Sequence, residues 1–143
     1  MISKITNTKL SSDKLELILQ TNFMEALKES NLRSFSFSNL ARSLIIFENQ
    51  TPAAIVIYRE IEPEKLAEID FVATAVEYKR KGLASALILD LSAKYGELWL
   101  ELGAENKKAL SLYGKLGFTA HGLRPDYYGK GEHAVNMVKT RAT

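Results

Sequence analysis

The stretch WLELGAENKKALSLYGKLGF, residues 99–118, changes its apolar period once, and this change indicates the fold. Around Trp99 and Glu101, leucines occupy every second position, as in a strand that buries one face. From Asn106 onward the apolar residues recur three and four positions apart, and Gly117 stands where a helix would end. The stretch therefore predicts a strand over 97–102 and a helix over 106–117.

The flanking segments continue this mixture of strands and helices. Upstream, GLASALILDLSAKYG places Leu83, Leu87 and Leu91 on one helix face, and Gly96 occupies the position of a C-terminal glycine. Before that helix, β-branched segments over 43–48, 53–61 and 66–76 predict an antiparallel meander. The other expected elements are a strand over 4–8, one or two helices capped by Ser11 or Ser12, a short helix capped by Ser38, and strands over 118–121 and 134–139.

The predicted order is β-α-α-β-β-β-α-β-α-β-β, which indicates an α+β domain. Its mixed central sheet should have six to seven strands flanked by about four helices. With 143 residues, of which 46% are hydrophobic and 25% charged, the chain is expected to fold as a single domain over residues 1–143.

Composition excludes several classes of function. Cysteine is absent, which rules out disulfides, thiolate metal sites and a cysteine acyl-enzyme. A net charge of +2 does not demand a nucleic-acid partner, and no cluster of His, Asp and Glu has metal-ligand spacing. The apolar runs are far shorter than the roughly 20 residues of a membrane span, and the N-terminus lacks an apolar signal core. A cytoplasmic protein without membrane, nucleic-acid or metal partners is therefore expected.

The segment YKRKGLASAL, residues 78–87, has the composition of a phosphate-binding helix start. Free backbone N–H groups and the helix dipole favour anions there, and Gly82 with small following residues permits close approach. The cations Lys79, Arg80 and Lys81 precede the glycine. Neither GK[ST] nor GxGxxG is present, which excludes the nucleotide P-loop and the dinucleotide fingerprint. A solvated basic turn is the alternative.

Three polar residues in the opening stretch are candidates for chemistry. A carboxylate in the apolar run LWLEL, Glu101, is costly unless it is paired or lies in a wet cleft, and its raised pKa would suit proton abstraction. Asn106 can cap the next helix, and Tyr113 lies on that helix's apolar stripe. The alternatives are a solvent-exposed strand end for Glu101, capping alone for Asn106 and core packing alone for Tyr113.

Taken together, these motifs resemble the GNAT superfamily of N-acetyltransferases. The family motif Gln/Arg-x-x-Gly-x-Gly/Ala corresponds to KRKGLA, residues 79–84, and Lys79 departs from it. Within the superfamily, residues 99–118 and RPDYY are similar to the bacterial ribosomal-protein alanine N-acetyltransferases, over roughly residues 68 to 138. Val76, Gly103 and Glu105 also depart from the usual pattern, the last two from the alanine-acetylating group.

The resemblance implies transfer of acetyl from acetyl-coenzyme A to a primary amine, foremost an N-terminal alanine. Glu101 would be the general base, Tyr113 the general acid, and Asn106 would bind the pantetheine arm. That arm would pair with the backbone of Val72, Ala73 and Thr74, and the pyrophosphate would lie on the loop Arg80, Lys81, Gly82, Leu83, Ala84 and Ser85. A small-molecule amine as acceptor and a non-catalytic coenzyme-binding module are the alternatives.

Acceptor choice is expected to depend on two other segments. One comprises the helices around residues 33–38, and the other is the loop over 124–133. In this loop Asp126, Tyr127, Tyr128 and Glu132 could receive a cationic peptide end, and His133 is an alternative base. An ordinary solvated hairpin is the other interpretation of the loop.

Overall fold

A computed structural model describes residues 4–8, 10–29, 41–63 and 65–140. Its strands and helices follow one another in the predicted order. They are β1 (Lys4–Thr8), α1 (Ser12–Asn22), α2 (Met24–Glu29), β2 (Arg42–Glu48), β3 (Thr51–Ile61), β4 (Leu66–Thr74), α3 (Leu83–Lys94), β5 (Glu97–Gly103), α4 (Lys107–Lys115), β6 (Thr119–Gly129) and β7 (Glu132–Thr140). A short 3₁₀ turn, Val76–Tyr78, joins β4 to the loop before α3. None of the helices in these ranges is long and apolar enough to span a bilayer.

All seven described strands belong to one sheet with the order β1-β2-β3-β4-β5-β7-β6. Only β4 and β5 run parallel; the other neighbours are antiparallel. The parallel pair requires a crossover, which α3 supplies. The predicted α+β fold with a mixed sheet is therefore confirmed.

The sheet buries a separate apolar core on each face. Along β3 the alternation shows this directly, because Val56 and Tyr58 pack into one core while Ile55 and Ile57 pack into the other. The first core receives Leu87, Ile88 and Leu91 of α3, and the second receives Leu15, Leu19, Phe23 and Leu27 of α1 and α2. The spacing of Leu83, Leu87 and Leu91, which predicted α3, is therefore the spacing of its buried face.

Most local expectations are confirmed, and three boundaries need correction. Ser11 caps α1 by accepting a hydrogen bond from the Lys14 N–H, and Gly117 follows α4 at φ 98°. Gly96 follows α3 as predicted but lacks a positive φ, since an extended Tyr95 ends the helix. The strand expected over 66–76 ends at Thr74, where the 3₁₀ turn begins. The helix predicted at Ser38 lies outside the described residues.

The third correction concerns β6, which is more than twice as long as the predicted strand over 118–121. It continues to Gly129, so the expected loop over 124–133 is largely a strand and hairpin. Residues 119–127 are all exposed, because β6 is an edge strand without a covering helix among the described residues. A strand with no buried face imposes no alternation on its sequence, and the pattern therefore missed it.

Candidate active site

The parallel strands β4 and β5 separate halfway along their length. Their pairing covers four positions, from Leu66 opposite Glu97 to Ile69 opposite Leu100. Beyond Ile69, β4 continues beside β3 while β5 continues beside β7. A bulge accompanies the separation, because Ile69 and Phe71 have partners on β3 and Asp70 between them has none. The result is a V-shaped opening between the carboxyl ends of two central strands.

A cavity of about 780 Å³ occupies this opening. Residues of β4, β5 and α4 form its walls, and Ala26, Tyr127 and Tyr128 approach it from α2 and β6. The cavity brings together four of the predicted site residues, which are Val72, Glu101, Asn106 and Tyr113. The other predicted positions, Ala73, Thr74 and residues 80–85, do not line it.

Glu101 lies on the face of β5 opposite the leucine core, as its alternation with Leu100 and Leu102 predicts. Its side chain is only 17% exposed, and its Oε2 atom is buried without a hydrogen-bond partner in the described part of the chain. Burial raises the pKa of this carboxyl, and the Glu68 carboxylate adds to the rise, while Arg124 at 3.6 Å opposes it. An unsatisfied carboxylate oxygen with a raised pKa is suited to accept a proton.

Tyr113 lines the same cavity from α4. Its ring packs edge-on against Phe118 with a centroid distance of 5.6 Å, as the packing interpretation predicts. No described residue forms a hydrogen bond with its hydroxyl. Burial raises the pKa of Tyr113 to about 12, and the phenol therefore stays protonated at neutral pH. The hydroxyl can act there as a proton donor.

Asn106 has the capping role expected of it. Its Oδ1 accepts a hydrogen bond of 3.1 Å from the Ala109 N–H, at the start of α4. The same residue lines the cavity, and its Nδ2 donates to no described residue. One end of the amide thus stabilises the helix, and the other end is available to a ligand.

The loop before α3 has the backbone of an anion site. Arg80 and Gly82 both have left-handed φ values, 67° and 74°, and Gly82 precedes the first helical residue. The first helical hydrogen bond runs from Ala86 N to Gly82 O, so the N–H groups of residues 83–85 have no acceptor among the described residues. No acidic residue lies in this first turn to compete with an anion.

Two charged networks at the site were not predicted from the sequence. On β3, Arg59 donates hydrogen bonds of 2.9 and 3.0 Å to the Asp70 carboxylate and lies 3.1 Å from Glu68. Lys79 of the phosphate-loop motif pairs with Glu25 of α2 at 2.8 Å, so part of its charge is neutralised within the protein. The Arg59–Glu68 contact could have been inferred from the register of the hairpin, since these residues are directly opposite. The Glu25–Lys79 contact spans 54 positions and has no local signal.

The remaining acceptor candidates are only partly brought to the cavity. Tyr127 and Tyr128 line it, whereas Asp126, Glu132 and His133 do not. Instead, His133 Nδ1 accepts a hydrogen bond of 2.9 Å from the Asp126 N–H and thereby fixes the hairpin. Residues 33–38 lie outside the described ranges. Within those ranges, no group of three or more His, Asp or Glu side chains could hold a metal ion.

Comparison with known proteins decides the family. Residues 12–118 match the acetyltransferase (GNAT) family. The chain belongs to this family. The matched residues include the separating strands β4 and β5, helix α4, and the loop that precedes α3. The match confirms the resemblance inferred from residues 79–84 and 99–118. Membership of this family makes the chain an acyltransferase that depends on acetyl-coenzyme A.

Three relatives illustrate the range of the family. The [ribosomal protein bS18]-alanine N-acetyltransferase of Escherichia coli (strain K12) is 36% identical over 86 residues, which are 57% of this chain and 57% of that protein. The chain thus aligns with little more than half the length of this curated relative. The crystal structure of the E. coli ribosomal-protein-S18-alanine N-acetyltransferase superimposes with a TM-score of 0.68 at 23% identity, covering 96% of this chain and 94% of that one.

The two other relatives are known as solved structures. A Bacillus subtilis acetyltransferase in complex with CoA has a TM-score of 0.70 at 16% identity, over 97% of this chain and 99% of that one. A spermidine/spermine N-acetyltransferase of Vibrio cholerae has a TM-score of 0.68 at 22% identity, over 97% and 94%. At these identities the likeness establishes the GNAT fold and leaves the acceptor open.

Proposed function

We propose that this chain transfers an acetyl group from acetyl-coenzyme A to a primary amine, foremost the N-terminal α-amine of a ribosomal or other protein that begins with alanine. The observation that supports this most directly is the shared cavity of Glu101 and Tyr113. One side chain there has a buried acceptor oxygen without a hydrogen bond, and the other has a protonated hydroxyl without a partner among the described residues. These are the two proton-transfer groups that aminolysis of a thioester requires.

The coenzyme would lie across the opening between β4 and β5. Among the described strands, none pairs with the edge of β4 that turns away from β3 from Asp70 onward, so the backbone of Val72, Ala73 and Thr74 can pair with the pantetheine amides. The diphosphate would accept hydrogen bonds from the free N–H groups of Leu83, Ala84 and Ser85, with Arg80 and Lys81 nearby and Gly82 permitting the turn. Asn106 would bind the pantetheine arm of the coenzyme through its side-chain amide.

The chemistry proceeds in a ternary complex, without an acyl-enzyme. An α-amine has a pKa near 7.7–8.0, so roughly a tenth of it is neutral at pH 7. Its nitrogen attacks the thioester carbonyl, Glu101 takes the amine proton directly or through water, and the C–S bond breaks. Tyr113 gives its proton to the departing thiolate and is reprotonated from solvent. Partial burial raises the pKa of both side chains, which makes Glu101 a stronger base and keeps Tyr113 protonated until it donates.

Asn106 offers a test of the coenzyme arrangement. Replacing Asn106 by alanine removes the helix cap and should lower the unfolding free energy by about 1 kcal/mol and weaken CoA binding. Asn106→Asp keeps an acceptor oxygen for the Ala109 N–H but lacks the amide donor. We therefore expect near-native thermal stability and weak CoA binding for Asn106→Asp, measured by calorimetry and by titration. Native CoA affinity in Asn106→Asp would contradict a direct contact.

The acceptor is tested by acetyl-coenzyme A turnover with short peptides that differ only in their N-terminal residue. We expect the highest kcat/KM for N-terminal alanine and none for the same peptide with a blocked N-terminus. Polyamines and aminoglycosides belong in the same assay, because the Vibrio cholerae neighbour acts on spermidine and spermine. Of the three carboxylates that line the cavity, Glu68 and Asp70 pair with Arg59, so Glu101 is the one that favours a cationic small amine as the second candidate.

Each outcome of this assay separates the candidates. Turnover of peptides alone supports an N-terminal acetyltransferase, and turnover of polyamines alone supports a small-molecule enzyme. Tight CoA binding without turnover of any amine would reject both and favour a non-catalytic coenzyme-binding module.

A further inference from the structure

Glu101 forms part of the wall between two cavities. Besides the large cavity, a smaller one of about 250 Å³ is lined by residues from β3 to β7, and the two share Glu68, Leu100 and Glu101. Arg124 of β6 lines only the smaller cavity. A ligand in the large cavity and this arginine can therefore reach the same carboxylate.

The contact between Arg124 and Glu101 is asymmetric. Arg124 Nε lies 3.6 Å from Glu101 Oε2, which is an ion-pair distance but leaves Oε2 without a hydrogen bond. The arginine side chain is 54% exposed and the glutamate side chain 17%. Arg124 can return to water at little cost, whereas a buried carboxylate that loses its cation is left uncompensated. Any replacement for the arginine at Glu101 should therefore be another cation.

Tyr127 offers Arg124 a contact that does not depend on Glu101. Its guanidinium lies 5.3 Å from the centroid of the Tyr127 ring, and Tyr127 lines the large cavity. The register of β6 against β7 shifts between Arg124 and Gly129, so the regular pairing is interrupted directly after Arg124 and resumes at Gly129 opposite Glu132. Arg59, which also lines the large cavity, is held by Asp70 and Glu68 and does not pair with Glu101.

We propose that Arg124 is a displaceable counter-cation, which holds the position on Glu101 that the ammonium group of the acceptor takes. This inference rests on the proposed acetyl transfer and adds to it how the acceptor is recognised. A compact ammonium donates up to three hydrogen bonds and can satisfy Oε2, which the arginine at 3.6 Å does not. The site would then admit the amine in its charged form. The ammonium loses its first proton to water, and Glu101, still ionised, takes the second as the nitrogen attacks. An N-blocked chain has no charge with which to displace the arginine.

Steady-state kinetics of Arg124→Gln test this displacement, with an N-terminal-alanine peptide as acceptor and its N-acetylated form as product inhibitor. We expect KM for the free peptide to fall about threefold to fivefold at low ionic strength, the magnitude of an exposed ion pair, with an unchanged inhibition constant for the neutral product. Arg124→Lys keeps the cation and should retain a KM near that of the wild type. Arg42→Gln makes the same charge change at an exposed residue that lines neither cavity, and should alter nothing.

The pH profile provides a readout that a structural role would not move. Without Arg124, the pKa of Glu101 should rise further, and the acid limb of kcat/KM should shift to higher pH by about half a unit to one unit. The other charged or titratable residues that line the two cavities are unchanged in this variant: Arg59, Glu68, Asp70, Lys108, Tyr113, Lys115, Tyr127 and Tyr128. A raised KM, an unchanged KM or an unshifted limb in Arg124→Gln would each overturn the proposal.

A binding experiment separates this inference from the proposed function. In the CoA-saturated protein, alaninamide should shift the NMR signal of the Arg124 Nε–H, and neutral N-acetylalaninamide should not. Absence of acetyl transfer by the wild type would reject the proposed function, whereas an Arg124 signal unmoved by saturating alaninamide would reject displacement.

Discussion

Glu101→Gln should lower kcat/KM for acetyl transfer by about a hundredfold to ten-thousandfold, the usual contribution of a general base. Glutamine has nearly the same shape as the carboxyl it replaces but cannot take the amine proton at neutral pH. The loss should be greatest at low pH, where less of the acceptor is already neutral, and smaller above pH 8. Initial rates over pH 6–9 with an excess of coenzyme measure this dependence.

The control for Glu101→Gln is the stability of the same variant. The pKa of Glu101 is higher in the folded chain than in the unfolded one, so the folded state binds the proton more tightly and stability falls as pH rises through the folded value. The neutral amide of the variant removes this cost. The variant should therefore melt above the wild type at pH 8, and the difference should shrink as the pH is lowered. An inactive variant that melts below the wild type at pH 8 would indicate a structural role.

Tyr113→Phe should lower kcat by about a hundredfold, the lower end of the range for a general acid. A thiolate leaves more readily than an alkoxide, so it needs less help from the phenol. The Kd for CoA should change little because the ring still packs against Phe118. Since burial raises the pKa of Tyr113 to about 12, we expect a basic limb of the rate profile below pH 10 to come from another group.

Tyr95→Phe is the matched control for Tyr113→Phe. Its hydroxyl donates a hydrogen bond of 2.7 Å to Glu60, and neither residue lines the cavities. This variant should lose about 1 kcal/mol of unfolding free energy with an unchanged kcat. Equal losses of kcat in the two variants would show that the effect at Tyr113 is indirect.

Much of the fold was predictable because its signals are local. The buried faces of α1 and α3 and the partly buried face of α4 repeat with a helical period, and β5 alternates, so the sequence locates these elements. An exposed edge strand has no such signal, and the strand predicted for β6 was accordingly too short. The same locality explains why Ser11 and Asn106 were identified as caps, since a cap is recognised by the residues that directly follow it.

The sequence identified residues of the candidate site but not the contacts that those residues make. Glu101 was identified because a carboxylate is unusual inside LWLEL, and Tyr113 by its place in a family pattern. The cation that faces Glu101 comes from β6, 23 positions later, and the bulge at Asp70 depends on the register of β3 against β4. Side-chain pairing between distant segments follows from the assembled sheet and leaves no period in the sequence.

The separation of β4 and β5 leaves little hydrogen bonding between the two parts of the sheet. Among the described strands, four residue pairs, Leu66–Ile69 against Glu97–Leu100, are all that join the first four strands to the last three within the sheet. The sheet thus consists of two parts, β1–β4 and β5–β7, that share only a short stretch of strand pairing. A ligand bound between them would add contacts across this junction and so contribute to the stability of the folded protein.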